Sequence, residues 1–402
     1  MNYLLAGTVL TDGMSLENAV VAVTDGRIAY VGPRAGLDVP LTDYDELDVP
    51  AGSTILPGLI DLHCHGAAGG DFPSGDNEAA RTAVDFLHRS GTTTLLASLV
   101  TATREDMLQS LETLRQLAEE GLIAGIHSEG PFLSHARCGA QDPRFLREPD
   151  LRYLGEVIGA AGGHLRSMTY APELPGADAV VRMLAENGVT PSLGHTDADA
   201  RTTAASLTHA AELLAASGRG PASRPTVTHL FNGMPPLHHR GPGPVAACLR
   251  LAGAGTVVVE LIADGVHLDP ETVRMVFDLV GPENVVLVTD SMAATGLPDG
   301  HYELGPAPVS VIGAVARLAD GTLAGGTATL LDVVRRTIGA GVEPAAAVLS
   351  ATAVPAAIIG QAHAIGSLRA GLRADVVVVD GNFERVLVMR AGKLLDKGEV
   401  RR

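Results

Sequence analysis

Six residues of this 402-residue chain have side chains that could work together: His63 and His65, which form an H-x-H pair, then Glu129, His195, His229 and Asp290. Imidazoles and carboxylates are the ligands that Zn²⁺ and similar divalent ions take, and an ion held this way activates water for hydrolysis. A carboxylate beside it can accept a proton and give it back. Each residue alone says little. With 14 histidines in the chain, roughly half an H-x-H pair is expected by chance. A lone histidine at a strand end is more often a hydrogen-bonded structural residue than a ligand. The weight of the set depends on what positions it.

From about residue 52 onward, short β-branched runs alternate with helical patterns, the signature of parallel βα units. Eight runs stand out: 55–65, 92–99, 122–129, 165–173, 190–196, 226–231, 256–264 and 284–290. Between the second and third, Thr103 and Asp106 suit a helix start, Met107, Leu111, Leu114 and Ala118 form an apolar stripe, and Gly121 suits the stop. Eight such units close into a (β/α)8 barrel, in which active sites are built at the C-terminal strand ends. All six candidates fall there, on the first, third, fifth, sixth and eighth runs. Side chains two apart on a strand share a face, so His63 and His65 can both point to the barrel axis while Cys64 packs outward as a small hydrophobe.

The flanks have a different pattern. Around Asp25-Gly26, residues 20–23 and 27–31 make a hairpin signal, and residues 375–379 and 386–389 are short strands divided by glycines. Neither flank can bury an apolar face alone, so both termini are expected to meet in one small β-sandwich. The expected division is 1–51 and 346–402 for the sandwich and 52–345 for the barrel, with a further hairpin at Asp320-Gly321 after the eighth strand.

A formal net charge of -17 argues against general affinity for nucleic acid or anionic membranes. Met1 leads straight into Tyr3, Leu4 and Leu5 with no basic region before an apolar run, and no stretch is long and apolar enough to span a bilayer. The three cysteines, Cys64, Cys138 and Cys248, are an odd count that fits a reducing cytoplasm.

The motifs around these residues resemble the N-acetylglucosamine-6-phosphate deacetylases of the amidohydrolase superfamily. They are Leu56-Pro57-Gly58-Leu59-Ile60-Asp61-Leu62-His63-Cys64-His65-Gly66, His127-Ser128-Glu129-Gly130-Pro131-Phe132, Gly194-His195-Thr196, Thr228-His229-Leu230-Phe231-Asn232-Gly233-Met234, Asp264-Gly265-Val266-His267 and Leu287-Val288-Thr289-Asp290-Ser291-Met292. The ending Gly366-Ser367-Leu368, with Ala370-Gly371 and Ala374-Asp375, is similar to the superfamily's returning sandwich. The first motif and this ending mark the superfamily; the middle motifs are specific to the deacetylases.

The resemblance implies one or two divalent ions per subunit, with Zn²⁺ as the first expectation and Fe, Co or Mn as alternatives. Glu129, His195 and His229 would bind the main metal, His63 and His65 a second ion bridged by Glu129, and Asp290 would be the acid/base. Asn232, Gly233 and Arg240 would grip the 6-phosphate, and His267 would touch the sugar or its phosphate. His238 and Cys138 are further candidates for substrate contact. A guanidinium suits phosphate because its fork matches the oxygens. The expected ligand is a small phosphorylated amino sugar, and the expected assembly a homodimer.

Three departures from the family pattern fall on sugar recognition and leave the metal chemistry untouched. Residues 137–141 read Arg-Cys-Gly-Ala-Gln where many members carry a lysine pair, glycine, a small residue and histidine. Gly233 stands where alanine is commoner, and Gly241 where an acid is usual. The segment 131–149 is long enough to be a lid or a surface excursion.

The implied chemistry is attack of activated water on the 2-acetamido carbonyl, giving glucosamine 6-phosphate and acetate. No G-x-S-x-G elbow or P-loop sequence points to a serine hydrolase or a nucleotide kinase. The alternatives are another amidohydrolase of the cyclic-amidase type, a deacylase of a different N-acyl amino sugar, and a scaffold without activity. Cyclic amidases resemble this chain but typically use a carboxylated lysine on the fourth strand, and residues 165–173 contain none. A dead scaffold would be expected to have lost ligands, and all are present.

Overall fold

The computed structural model describes residues 2–37, 43–218 and 223–397. Eight parallel strands, Leu59–Cys64, Thr92–Leu99, Gly125–Glu129, Leu165–Tyr170, Thr190–Leu193, Thr226–Val227, Val258–Leu261 and Val285–Leu287, pair in chain order. The ring closes where the Asp290 N–H donates to the His63 carbonyl at 2.9 Å and Cys64 bridges Ser291. Beneath this seam the Thr289 hydroxyl donates to buried Asp61 at 2.6 Å. Every residue in the eight strands is buried except Arg166, as expected where helices cover the outer face and side chains fill the axis.

The covering helices follow the sequence cues closely. Arg104–Glu119 starts at Thr103, whose hydroxyl accepts from the Asp106 N–H, and buries Met107, Leu111, Leu114 and Leu117. Leu117 takes the inward place expected of Ala118, because a stripe with period 3.6 drifts around the helix. Gly121 follows the helix at φ 74°, where a left-handed turn favours glycine.

Both termini build one further sheet. Its order is Lys393–Lys397, Arg385–Arg390, Val376–Val379, Thr54–Pro57, Tyr3–Thr11, Met14–Thr24, Arg27–Pro33, with Asp45–Glu46 also on Tyr3–Thr11. The expected sandwich is thus a continuous sheet around its own core. Val376 and Val378 face that core with Leu5, Val21 and Met389, while Val377 and Val379 face the barrel's helices. The alternation is the period of two that lets one strand serve two cores. The hairpin at Asp25-Gly26 is as expected: Thr24 pairs with Arg27, and φ values of 50° and 77° fit a two-residue turn that needs φ > 0 at both positions.

Two expectations are modified. The run 55–65 is two strands, since Thr54–Pro57 pairs with Tyr3–Thr11 and Val376–Val379 and only Leu59–Cys64 joins the barrel. The break is Gly58, where a Cβ would lie 2.1 Å from Thr93 Oγ1, so only glycine lets the chain pass. After the eighth strand, Gly300–Leu304, Ala307–Ile312 and Val315–Arg317 form a three-stranded antiparallel sheet, larger than the single hairpin expected. The Asp320-Gly321 turn follows it, with Arg317 bridging Leu323. Among the described residues no helix is long and apolar enough to cross a membrane.

Candidate metal centre

The barrel delivers the six residues to one spot from five strands. His63 lies in the first strand and Glu129 ends the third; His65, His195, His229 and Asp290 stand one to three residues past their strand ends. At His195, His229 and Asp290 the backbone turns to φ 46°, 27° and 49°. Left-handed conformations at residues other than glycine cost about 1–3 kcal/mol each and persist only where the surroundings enforce them. Here they swing the three side chains from the strand direction into the barrel mouth. Gly194 makes room for the turn at His195, since a Cβ there would be 2.7 Å from that of Thr228.

Glu129 Oε1 lies 2.8 Å from both His195 Nε2 and His229 Nε2, and those nitrogens are 3.1 Å apart. On the other side, His63 Nε2 and His65 Nε2 are 3.1 Å apart, Asp290 Oδ1 is 3.1 Å from the latter, and Glu129 Oε2 is 3.3 Å from it. Two groups of buried side chains thus have metal-ligand spacing, Glu129 with His195 and His229, and His63 with His65 and Asp290. Tautomers sharpen the fit. His195 Nδ1 donates to the Arg137 carbonyl at 2.7 Å and His65 Nδ1 to the Ser98 carbonyl at 3.2 Å, so each neutral ring turns an Nε2 lone pair inward. His63 Nδ1 faces Glu260 Oε2 at 3.4 Å, with the same consequence. The Nε2 lone pairs of His63 and His65, 3.1 Å apart, cannot hydrogen-bond one another; a cation between them satisfies both.

The field points the same way. Burial opposes charge on His63, yet Asp290 and Glu129 raise its pKa well above the ordinary value, and His65 is likewise brought to about 9. Burial would raise the carboxylates, but the neighbouring imidazoles outweigh it, holding Glu129 well below its usual range and Asp290 at about 2. The cluster therefore demands positive charge, and a divalent ion can supply it by displacing protons from the imidazoles. His127, buried under the site between Ser167 and Thr169, goes the other way: burial and the charge on His63 push it well below 6.5, so it is a neutral part of the barrel's hydroxyl network.

Above the cluster opens a pocket of about 220 Å³, whose walls include Asn232, Gly233, His267, Gln141 and Leu304. His267 is oriented by Asp264, which accepts from its Nδ1 at 2.9 Å; burial lowers its pKa but Asp264 reverses that, so it can present a charged N–H to a ligand. Gly233, at φ 62°, lies so close to His195 that a Cβ would be 2.9 Å from Nδ1. Arg240, His238 and Cys138 do not line this pocket; Arg240 and His238 are exposed, and Cys138 is half-buried next to the wall formed by Gly139 and Ala140.

Two buried residues were not among the sequence candidates. Glu260, on the seventh strand, accepts from the His229 N–H at 3.2 Å and faces His63; its signal was a single acid inside the apolar run 257–262. Gln141, at 5% exposure, reaches in from the segment 131–149, its Nε2 2.6 Å from Glu129 Oε2, so the departure at this position, expected to leave the metal chemistry untouched, bears on the central carboxylate instead. The Thr101 N–H, which can only donate, meets Gln141 Oε1 at 2.7 Å and so fixes which end of the amide faces Glu129. The segment itself is packed down: the Ser134 N–H donates to the His195 carbonyl at 3.0 Å, and Phe132 and Leu133 are buried.

Comparison with known proteins agrees with this geometry. The model of the amidohydrolase family matches residues 54–395. The N-acetylglucosamine-6-phosphate deacetylase of Bacillus subtilis (strain 168) is 34% identical over 397 residues, covering 96% of this chain and 95% of that protein. The N-acetylgalactosamine-6-phosphate deacetylase of Escherichia coli O157:H7 is 32% identical, covering 97% and 98%. Among solved structures, the N-acetyl-D-glucosamine-6-phosphate deacetylase of Mycobacterium smegmatis superposes with a TM-score of 0.88 at 38% identity, covering 98% of this chain and 100% of that one. A mutant of that enzyme has been solved in complex with N-acetyl-D-glucosamine-6-phosphate.

Proposed function

Because the chain belongs to the amidohydrolase family, we propose that it hydrolyses the acetamide of N-acetylglucosamine 6-phosphate, giving glucosamine 6-phosphate and acetate. The observation that carries this reading is the convergence of Glu129, His195 and His229 on one point, with Asp290 in the same pocket, in a chain that deacetylases match from end to end.

In this reading Glu129, His195 and His229 hold the main divalent ion, Zn²⁺ being our first assignment and Fe, Co or Mn the alternatives. His63 and His65, with Asp290 alongside and Glu129 close by, would hold a second. A bound ion supplies Lewis acidity, making water more acidic and the acetamide carbonyl more electrophilic. Asp290, ionised at neutral pH, accepts the proton of the attacking water and passes it to the departing nitrogen. Water adds to the carbonyl carbon, the C–N bond breaks, and the amine leaves with the proton that Asp290 returns. Arg137, Ser98 and Glu260 hold the imidazole tautomers. His267, Asn232 and the Gly233 backbone meet the sugar phosphate, with Arg240 assigned to the phosphate from outside the pocket wall. The protein is assigned to the cytoplasm as a homodimer.

A second reading, the galactosamine epimer, is favoured by the Escherichia coli relative. Acetate release tests both. Metal-loaded protein is assayed on N-acetylglucosamine with and without its 6-phosphate and on N-acetylgalactosamine 6-phosphate, before and after chelation. Release from the phosphorylated glucosamine substrate that stops on chelation is expected. A metal-loaded protein that acts on neither phosphorylated sugar would refute the deacetylase reading.

A further inference from the structure

At the opposite end of the barrel, by the N-terminal ends of the second, third and fourth strands, lies a cavity of about 230 Å³ whose walls include Arg166, Arg373, Arg390, His164 and Gln361. Three guanidiniums meet there in a chain whose net charge is -17. One has a counter-ion: Arg373 pairs with buried Asp375 at 2.5 Å. Arg390 donates only to the carbonyls of Thr93, at 2.9 Å, and Gly121, at 2.6 Å, and Arg166 only to that of Ala124, at 3.3 Å. Among the described residues neither has an ion pair, and the cavity wall contains no carboxylate. Among the described residues, the nitrogens without a protein acceptor are Nη1 and Nη2 of Arg166, Nη1 of Arg373 and Nη1 of Arg390.

The placement of Arg166 is built in. It is the one residue of the eight barrel strands that is not buried, and its stem crosses Gly125, where a Cβ would lie 2.4 Å from Arg166 Cγ. Burial alone lowers the pKa of Arg166; burial and then Arg373 lower that of Arg390, against an opposing effect of Asp375. Nearby His88, 6% exposed, is driven to about 3, first by burial and then by Arg390 and Arg373, and its Nε2 has no partner among the described residues. Three guanidiniums less the Asp375 carboxylate leave two positive charges. Guanidinium forks with free nitrogens match tetrahedral oxyanions, and partly buried cations gain most from a partner that neutralises them.

We propose that this cavity binds a small dianionic oxyanion, either inorganic phosphate or the phosphate of a monoester, independently of the metal centre. Holding one there ties the terminal sheet, through Arg390 and Arg373, to the barrel strand that carries Arg166. The test is calorimetric titration of the metal-loaded protein with inorganic phosphate and, in a separate arm, with glucose 6-phosphate, which lacks an acetamide. Wild type is compared with Arg166→Met and with Arg240→Ala, the latter altering only the expected substrate-phosphate contact. A phosphate site that persists in Arg240→Ala and is weakened at least tenfold in Arg166→Met, with metal content and deacetylation KM unchanged in the latter, is expected. Glucose 6-phosphate filling the same site identifies a monoester ligand; phosphate alone filling it identifies the free ion. Identical isotherms for wild type and Arg166→Met, or no binding at millimolar phosphate, overturns the proposal. Should Arg166→Met fail to fold, Arg166→Lys keeps the charge but loses the fork, and unchanged affinity in that variant is equally fatal.

Discussion

Gln141→Met isolates the contribution of a residue that touches neither imidazole group yet faces the carboxylate between them. The amide is clamped at its oxygen by the Thr101 N–H at 2.7 Å and the Thr101 hydroxyl at 2.9 Å, and donates to Glu129 Oε2 at 2.6 Å. A hydrogen bond to a charged acceptor contributes about 1.5–3 kcal/mol. At about 1.4 kcal/mol per decade, its loss should weaken metal binding roughly 10- to 100-fold, the usual range when a ligand's supporting partner is removed. Thr101→Val removes one of two clamps on the amide, a neutral bond of about 1 kcal/mol, so a change of about fivefold is expected. Because Thr101 acts through the Gln141 amide, the double variant should be no worse than Gln141→Met alone. Metal affinity is measured by competition with a chromogenic chelator, with thermal melting as the control for folding. Gln141→Glu separates orientation from packing: it keeps the acceptor for Thr101 but turns a carboxylate towards Glu129, and should bind metal at least as poorly as the methionine variant. Wild-type affinity in Gln141→Glu would show that the contact with Thr101 alone matters and would refute the reasoning.

Asp290→Asn keeps size but removes the basic oxygen, so turnover should fall roughly a hundredfold or more while the ion at Glu129, His195 and His229 is retained; loss of that ion on metal analysis would make Asp290 chiefly a ligand. Arg240→Ala should impair the phosphorylated substrate far more than the free sugar in kcat/KM, and equal losses would make it structural. His88 is neutral in the fold down to about pH 3 but takes up a proton near pH 6.5 when unfolded. The unfolded state therefore binds more protons across that window, and stability falls as pH falls. Between pH 7 and 5 the contribution is about 2 kcal/mol. His88→Gln should lose correspondingly less stability than wild type over that interval in urea melts; identical losses would count against a neutral buried imidazole.

Much of the architecture was legible because local rules suffice for it. Eight β-branched runs separated by capped amphipathic helices specify parallel strands with both faces covered, and the strand ends then place histidines and acids together whatever the details of packing. The Asp25-Gly26 hairpin was equally local, since two residues that tolerate φ > 0 define the turn. Where the pattern was ambiguous, packing decided. Residues 55–65 read as one apolar run, and only the contact of Gly58 with Thr93 and Asp375 divides it between two sheets.

The sequence by itself determined the chemistry available: which side chains can hold a cation, which can move a proton, and at which end of the barrel they stand. Tertiary structure decided how those side chains are aimed. His195, His229 and Asp290 take left-handed backbone that no local preference would choose, because neighbouring strands enforce it. The partners that fix the imidazoles and the central carboxylate, namely the carbonyls of Arg137 and Ser98, Glu260 and Gln141, come from other parts of the chain. A backbone carbonyl carries no residue signature, and an inward glutamine on a long segment looks like any surface polar residue until the chain is folded. Orientation is a property of contacts between distant segments, so it appears only when the barrel has closed around them.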